Sequence, residues 1–275
     1  MEYLSAVEEW HKASASSNSC CSDNLYSLLK NATNDKQTAT SSDNNDIHQL
    51  DLNQLAQDKV LEELSSLYEE YTFATAKDAS LTDDIRRGDN NINNQHSEDS
   101  LVYGEIDLHG FVQLLLTCNI PRTTNDIFYD LGSGSGRAVF AARYCGDYKE
   151  CIGIELLQNL HDLATSVQSL YKFQYKHKLK HQQIRFVHSD LLDYESWWSN
   201  GTVVYIPNLL FDDVLMDQIA DKAKYAPSNA YWICLKKFRS SSSTSFDSAF
   251  ELIHQCPVAM SWGESNVYVY RRRML

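Results

Sequence analysis

Residues 129–137 read Tyr-Asp-Leu-Gly-Ser-Gly-Ser-Gly-Arg, with three glycines at alternate positions after an acidic residue. An apolar run precedes Asp130 and an alanine-rich stretch follows, which is typical of a strand, a tight loop and a helix. Glycine tolerates positive φ and lets a ligand approach the main chain closely. The pattern therefore predicts a loop for a nucleotide-type cofactor. Its acidic start favours S-adenosylmethionine (SAM), because Asp130 suits the amino group of the methionine moiety.

Two related cofactor loops differ from this one. The dinucleotide fingerprint requires Gly-x-Gly-x-x-Gly, and its third glycine would fall at Arg137. A Walker A loop ends in Gly-Lys-Ser/Thr, which residues 132–137 do not contain. An NAD enzyme and a glycine-rich turn without a ligand remain open alternatives to the SAM loop.

Two further acidic residues follow predicted strands. Glu155 ends the apolar run 150–155, about 20 residues after the loop, where a carboxylate accepts the ribose hydroxyls in dinucleotide-type folds. Asp190 follows a second run at 184–188, in the position where SAM enzymes commonly contact the adenine amino group. Solvated strand-end carboxylates and turn residues remain open for both. We expect Glu155 to hold the ribose and Asp190 to meet the adenine.

The elements that must position these residues alternate in type after residue 101. Strands are predicted at 127–131, 150–155, 184–188, 202–206 and 230–235. Helices are predicted at 108–116, 135–145, 157–179 and 212–225, and a terminal hairpin at 258–262 and 267–271. This alternation predicts an α/β fold of the class I methyltransferase type: a Rossmann-like, mostly parallel sheet with helices on both faces. Ligands on such sheets bind at the carboxyl ends of the strands.

Charge divides the chain of 275 residues, whose net charge is −13. Residues 1–102 hold 7 basic and 19 acidic side chains, whereas residues 103–275 hold 17 and 18. We therefore predict an acidic, helical and low-complexity N-terminal region over 1–100 and a SAM-dependent methyltransferase domain over 101–275. This N-terminal extension is predicted to be helical and partly disordered: 50–72 has helical periodicity, whereas the polar stretches 33–47 and 83–100 are predicted to be a disordered loop and a mobile segment.

Several classes of protein do not fit this composition. No apolar run approaches the roughly 20 residues of a membrane helix, so no membrane partner is expected. The seven cysteines form no Cys-x-x-Cys pair. This predicts a reduced intracellular protein without a metal site.

More than the glycine loop carries a family resemblance. Val102-Tyr103-Gly104-Glu105 precedes the loop, and five further segments follow in order: 130–136, 189–198, 208–211, 236–238 and 261–262. Together they resemble the disruptor-of-telomeric-silencing family, the non-SET histone lysine methyltransferases. The resemblance covers roughly 101–271. Three positions depart from the family pattern: Ile106 stands where Thr is usual, Arg137 where Gln is frequent, and Pro207 where Asn or a similar residue is found.

The resemblance implies roles for individual residues. Tyr103 and Glu105 would close over the methionine end of SAM. The implied cofactor site comprises Tyr103, Glu105, Asp130, Gly132, Ser133, Gly134, Gly136, Glu155, Asp190, Leu191 and Asn208. The implied catalytic group, with Asn208 near the transferring methyl and aromatic walls for the lysine channel, comprises Asn208, Tyr103, Phe211, Trp262 and Tyr270.

These observations predict a SAM-dependent protein-lysine N-methyltransferase. Its expected substrate is a lysine of the histone H3 globular core, in a histone or nucleosome, without sequence-specific nucleic-acid recognition. A chromatin regulator of this kind is expected in the nucleus, with the cytoplasm as the alternative. Two other functions remain open, a methyltransferase of the same fold acting on a non-histone protein and a non-catalytic binding module.

Overall fold

The computed structural model describes residues 42–87, 101–175, 183–238, 244–260 and 263–274. In this part of the chain, seven strands form one sheet: β1 (Ile127–Leu131), β2 (Glu150–Glu155), β3 (Gln183–His188), β4 (Val203–Ile206), β5 (Tyr231–Cys234), β6 (Phe250–Met260) and β7 (Gly263–Arg272). Their order is β3-β2-β1-β4-β5-β7-β6. The strands from β1 to β5 are parallel, and β7 is antiparallel to β5 and β6. This doubly wound order, with its switch point between β1 and β4, confirms the predicted Rossmann-like fold.

The helices lie between and before the strands. They are α1 (Ser42–Leu67), α2 (Phe73–Leu81), α3 (Asp84–Arg87), α4 (Leu108–Thr117), α5 (Arg137–Cys145), α6 (Gln158–Tyr175), α7 (Ser196–Asn200), α8 (Asp213–Lys222) and α9 (Thr244–Ala249). Short 3-10 turns cover Asn208–Leu210 and Ala223–Tyr225. The predicted helices between the parallel strands correspond to α5, α6 and α8, whereas α7 and α9 were not predicted.

The polar stretches of the N-terminal region are partly helical. Helix α1 begins at Ser42, inside the stretch predicted to lack order, and α3 lies inside 83–100. Residues 42–47 and 84–87 are therefore helical in this structure, while 33–41 and 88–100 lie outside the described residues. Once the apolar half of a helix is packed, each further residue extends it at low cost, so a polar start such as that of α1 can stay helical.

Side chains alternate between two cores on opposite faces of the sheet. Phe128 of β1 belongs to the core under α1, α4, α5 and α6, whereas its neighbours Tyr129 and Leu131 belong to the core under α7, α8 and α9. Both faces are covered, which explains why the parallel strands read as nearly continuous apolar runs.

The N-terminal helix α1 packs directly on the α/β core. Val60, Leu64 and Leu67 are almost completely buried against α4 and α5. Gln57, itself buried, donates a hydrogen bond to the His109 carbonyl at 3.2 Å. The first described helix thus contributes to the same hydrophobic core as the strands.

The C-terminal hairpin is longer than predicted. Strands β6 and β7 are joined by ten residue pairs, with a register shift between Leu252 and His254. Residues 261–262, and with them Trp262, lie outside the described residues. At the other end, Arg272 is buried and donates hydrogen bonds to the carbonyls of Ala223 (2.9 Å) and Lys224 (3.1 Å).

We predict that Arg272 anchors this hairpin to the 3-10 turn Ala223–Tyr225. Arg272→Ala should lower the free energy of unfolding by about 3 kcal/mol, because it strands buried carbonyls that accept from a charged donor. The matched control is Arg273→Ala, whose half-exposed side chain makes only a 3.5 Å ion pair to Glu251. Its effect should stay below about 1 kcal/mol. Urea unfolding of both variants measures the difference, and equal losses would contradict the anchoring role.

Candidate functional site

A cleft of about 720 Å³, its open mouth included, lies at the carboxyl ends of β1, β2, β3 and β4. The glycine loop after β1 and the loop after β4 form two of its walls, and residues 101–104 form a third. The structure brings several of the predicted site residues to this cleft: Tyr103, Gly132, Glu155, Asp190, Leu191 and Phe211.

The glycine loop is tied to the end of β2. The backbone N–H groups of Gly132 and Ser133 both donate to the Ile154 carbonyl, at 2.8 and 3.0 Å. The Gly134 N–H donates to Glu155 Oε2 at 2.7 Å. The loop therefore runs across the carboxyl end of β2, where its backbone borders the cleft.

Two of the glycines are required by both backbone and space. Gly134 has φ +52°, and a Cβ there would lie 2.5 Å from Cε2 of Tyr103. Gly136 has φ +87°, and a Cβ would lie 2.5 Å from Cζ of Phe186. Any other residue would be strained and would push these rings away. The close approach of Tyr103 also shows that residues 101–104 cover the loop.

Glu155 is a buried carboxylate with two main-chain donors. Its Oε2 accepts from Gly134 and its Oε1 accepts from the Leu157 N–H at 2.8 Å. Burial raises the pKa of Glu155, and these hydrogen bonds act in the opposite direction. A carboxylate has about four acceptor sites, so capacity remains for the hydroxyls of a ribose.

Asp130 and Ser133 carry buried atoms without a partner. Asp130 Oδ1 and Ser133 Oγ have no hydrogen-bond partner among the described residues. Burial raises the pKa of Asp130 well above its ordinary value, and the nearby charge of Glu155 contributes a smaller increase. Unsatisfied buried polar groups are rare in native proteins and call for an explanation. An ammonium group bound here would supply a positive charge to Asp130, which fits the methionine end of SAM.

The far end of the cleft is apolar with a polar edge. Asp190 Oδ1 accepts from the Leu192 N–H at 2.8 Å, and Leu191 is nearly buried beside it. Leu156, Leu157 and Leu160 line the same part of the cleft. Such a slot suits a flat aromatic base. These three leucines were not predicted as site residues, although the apolar start of the helix that follows Glu155 was a usable signal.

Tyr103 and Glu105 belong to one hydrogen-bonded group over the loop. The Tyr103 hydroxyl donates to Glu105, and Ser135 Oγ lies 3.1 Å from both the Tyr103 hydroxyl and Glu105 Oε1. Arg137 Nε donates to the same Glu105 oxygen at 2.9 Å. Burial, together with the Glu105 charge, raises the pKa of Tyr103. Tyr103 lines the cleft and Glu105 lies behind it, held by three neighbours.

Asn208, which is expected near the transferring methyl, has its side chain held by the main chain after β5 in this structure. Its side chain is fully buried, and Oδ1 accepts from the N–H groups of Leu235 (2.8 Å) and Lys236 (2.9 Å). Its Nδ2 donates to the Lys236 carbonyl at 3.1 Å. In this structure Asn208 joins the end of β4 to the segment after β5, and it is not among the residues that line the cleft.

The predicted aromatic walls divide into three cases. Phe211 lines the cleft next to the glycine loop. Tyr270 is buried in an aromatic cluster instead, edge-on to Phe246 at 5.3 Å and to Phe238 at 6.0 Å, and does not line the cleft. Trp262 lies outside the described residues.

The sheet order, the glycine loop and the acidic residues around the cleft define a Rossmann-like protein with a nucleotide-type cofactor site. A family model described as histone methylation protein DOT1 matches residues 84–266. The chain therefore belongs to the DOT1 family, as the resemblance predicted.

A curated relative carries the more specific name. The chain is 28% identical over 190 residues to a protein of Caenorhabditis elegans named histone-lysine N-methyltransferase, H3 lysine-79 specific. The match covers 63% of this chain and spans about a fifth of that relative, 20% of its length.

Solved structures with a similar chain path are more distant. Magnesium protoporphyrin IX methyltransferase from Synechocystis PCC 6803 with bound SAM is 14% identical, with 60% of this chain and 77% of that chain covered and a TM-score of 0.42. TrmN from Thermus thermophilus is 18% identical, with 58% and 48% covered and a TM-score of 0.42.

The described part of the chain contains no cluster of three His, Cys, Asp or Glu side chains suited to a metal ion. Among the same residues, no helix has the length and apolar character needed to span a membrane.

We predict that Asp130 lowers the stability of the fold and strengthens the binding of SAM. Asp130→Asn should raise the free energy of unfolding at neutral pH by about 1 kcal/mol, because burial disfavours the ionised form of a carboxyl whose Oδ1 has no described partner. It should also weaken SAM binding by roughly tenfold or more, because a charge-assisted bond is lost. Urea unfolding and calorimetric titration with SAM measure the two effects.

The effect of Asp130→Asn on stability should depend on pH, because burial raises the pKa of the Asp130 carboxyl. A carboxyl whose folded pKa is raised contributes stability fully below its ordinary pKa, and this contribution is lost as the pH rises through the folded value. The stability gain of Asp130→Asn should therefore grow from acidic to neutral pH. A difference that is constant across this range would contradict the buried charge at Asp130.

Proposed function

We propose that this chain is a SAM-dependent protein-lysine N-methyltransferase that acts on a lysine of the histone H3 core. The observation that carries the proposal is the DOT1 family match over 84–266, which includes the whole glycine loop and the cleft residues. The relative named for H3 lysine 79 supports the same acceptor class.

The cleft offers a complementary group for each part of SAM. Asp130 and the backbone of Gly132 and Gly134 would hold the methionine moiety. Glu155 would accept the ribose hydroxyls, and Asp190, Leu191 and the three leucines Leu156, Leu157 and Leu160 would hold the adenine. SAM supplies a methyl group on a sulfonium, and the neutral thioether that departs from this methyl is a good leaving group. The protein therefore contributes mainly binding and orientation.

Orientation and water exclusion are the chemical tasks of this chain's own residues. Phe211, Pro207 and the Tyr103 ring form apolar wall on the side of the glycine loop. An acceptor lysine must be neutral to attack a methyl group, and desolvation against such walls lowers the pKa of a lysine. Bulk water would accept the released proton. Alignment of two bound reactants lowers a barrier by roughly 7–11 kcal/mol.

The charge distribution supports a basic protein as substrate. Net acidity is concentrated in residues 1–102, whereas the part that contains the cleft is nearly neutral. An acidic region attracts basic histone surfaces and repels DNA phosphates. Residues 1–102 are therefore expected to contact the histone protein rather than the DNA of a nucleosome. A nucleosomal substrate and a nuclear location are part of the proposal.

The test uses the full chain with isotope-labelled SAM and three acceptors: nucleosomes, free histones and cell lysate. We expect label on histone H3 with the wild-type chain. Gly134→Arg places a long side chain in the loop, and Glu155→Ala removes the carboxylate that holds the loop. Each variant should reduce labelling and calorimetric SAM binding by at least about a hundredfold. Arg273→Ala, remote from the cleft, serves as the control and should leave both unchanged.

Each other result has a distinct meaning. Label on a non-histone band alone would replace the histone acceptor with another protein. Binding of SAM without transfer to any of the three acceptors would support a non-catalytic binding module. Unchanged SAM affinity in both loop variants would contradict the assigned cofactor site.

A further inference from the structure

Arg137 connects three parts of the chain directly behind the glycine loop. It is the first residue of α5, and its Nε donates to Glu105 Oε1 at 2.9 Å. Its Nη2 donates to the Tyr71 carbonyl at 2.8 Å. The guanidinium carbon also lies 4.3 Å from the ring centroid of Tyr68. One side chain thus bridges the loop, the segment before α4 and the end of α1.

The Tyr68 ring is a fixed support for this guanidinium. Tyr68 is nearly buried, and its hydroxyl donates to the Ser135 carbonyl at 2.9 Å, within the glycine loop. The ring also packs edge-on against Phe140 at 5.9 Å. A planar guanidinium over an aromatic face is a favourable arrangement that an ammonium matches less well.

Glu105 transmits the position of Arg137 to the cleft. Its side chain is only 12% exposed and accepts from Arg137, Ser135 and the Tyr103 hydroxyl through the same oxygen. The Tyr103 ring in turn lies across Gly134 and lines the cleft. Without Arg137, Glu105 would be a largely buried charge without its cation, which is strongly unfavourable.

We infer that Arg137 is a positioning residue that holds Tyr103 over the glycine loop through Glu105, with the end of α1 as its anchor. The inference rests on the proposed function, because its effect is on the affinity of the cofactor cleft. It assigns a role to a residue that departs from the family pattern. It also gives Tyr68 and Tyr71, which lie far from the loop in sequence, a supporting role behind the cofactor site.

The main test is calorimetric titration of SAM into full-length Arg137→Gln, a variant with the residue that is frequent in the family. We expect the Kd for SAM to rise at least tenfold, because Glu105 and Tyr103 lose their fixed position. Arg137→Lys keeps the positive charge but lacks the planar guanidinium. Its Kd for SAM should lie between those of the wild type and Arg137→Gln. In a methylation assay, the KM for SAM should rise in parallel while kcat changes less.

A matched control exists at the edge of the sheet. Arg185 donates from Nε to Glu150 at 2.8 Å, and its guanidinium carbon lies 5.8 Å from the Tyr194 ring centroid. Arg185→Gln removes the same kind of Arg–Glu–Tyr contact away from the loop. Its SAM affinity should equal that of the wild type.

A double-mutant cycle separates positioning from a general loss of structure. If Arg137 acts through Glu105, Arg137→Gln should have little further effect on SAM affinity in a Glu105→Gln background. Additive losses in the cycle would overturn the inference. So would a thermal destabilisation of Arg137→Gln with unchanged Kd for SAM, since this result indicates a purely structural brace.

Failure of this inference is distinct from failure of the proposed function. If the wild-type chain binds no SAM, the proposed function fails and the role of Arg137 falls with it. If the wild type binds SAM and Arg137→Gln binds it equally well, only the role of Arg137 is overturned.

Discussion

The carboxylate of Glu155 accepts one hydrogen bond from the glycine loop and one from the start of α6, and the cofactor cleft is built around this contact. Parallel pairing makes it possible, because Leu131 lies opposite Ile154 and the loop after β1 must therefore cross the end of β2. Buried charged hydrogen bonds of this kind are strong, and their loss leaves a charge without partners. The loop, the α6 wall and the acidic end of β2 are consequently fixed by one side chain.

The two acidic residues at these strand ends differ in whether protein donors satisfy their carboxylate oxygens. Glu155 is satisfied by protein donors, whereas Asp130, on the neighbouring strand, keeps a buried oxygen without a described partner. Functional sites often retain such locally unfavourable groups because a ligand completes them. In the proposed site, Asp130 would contribute selectivity for a cationic group, while the hydrogen bonds of Glu155 fix the glycine loop beside it.

Local sequence signals were sufficient for the strands and the loop, because glycine spacing and apolar runs act over a few residues. The same signals do not give the contacts of a side chain whose neighbours are distant in sequence. Asn208 follows β4 as expected, yet its amide is used by Leu235 and Lys236, 27 and 28 residues away. Tyr270 has the right residue type for a channel wall, but the packing of Phe246 against it sets its place in the core.

The N-terminal helices show why composition alone does not define the extent of the site. The acidic region up to residue 100 differs in charge from the rest, yet Asp83 accepts from the Asn159 N–H at 2.9 Å, near the start of α6. Ala76 of α2 packs with Leu157 and Leu160, which line the cleft. The family match also begins at residue 84, before the change in composition. Residues from before 100 therefore contact both the glycine loop, through Tyr68, and the leucines that line the cleft, so packing of these helices contributes to the shape of the cofactor site.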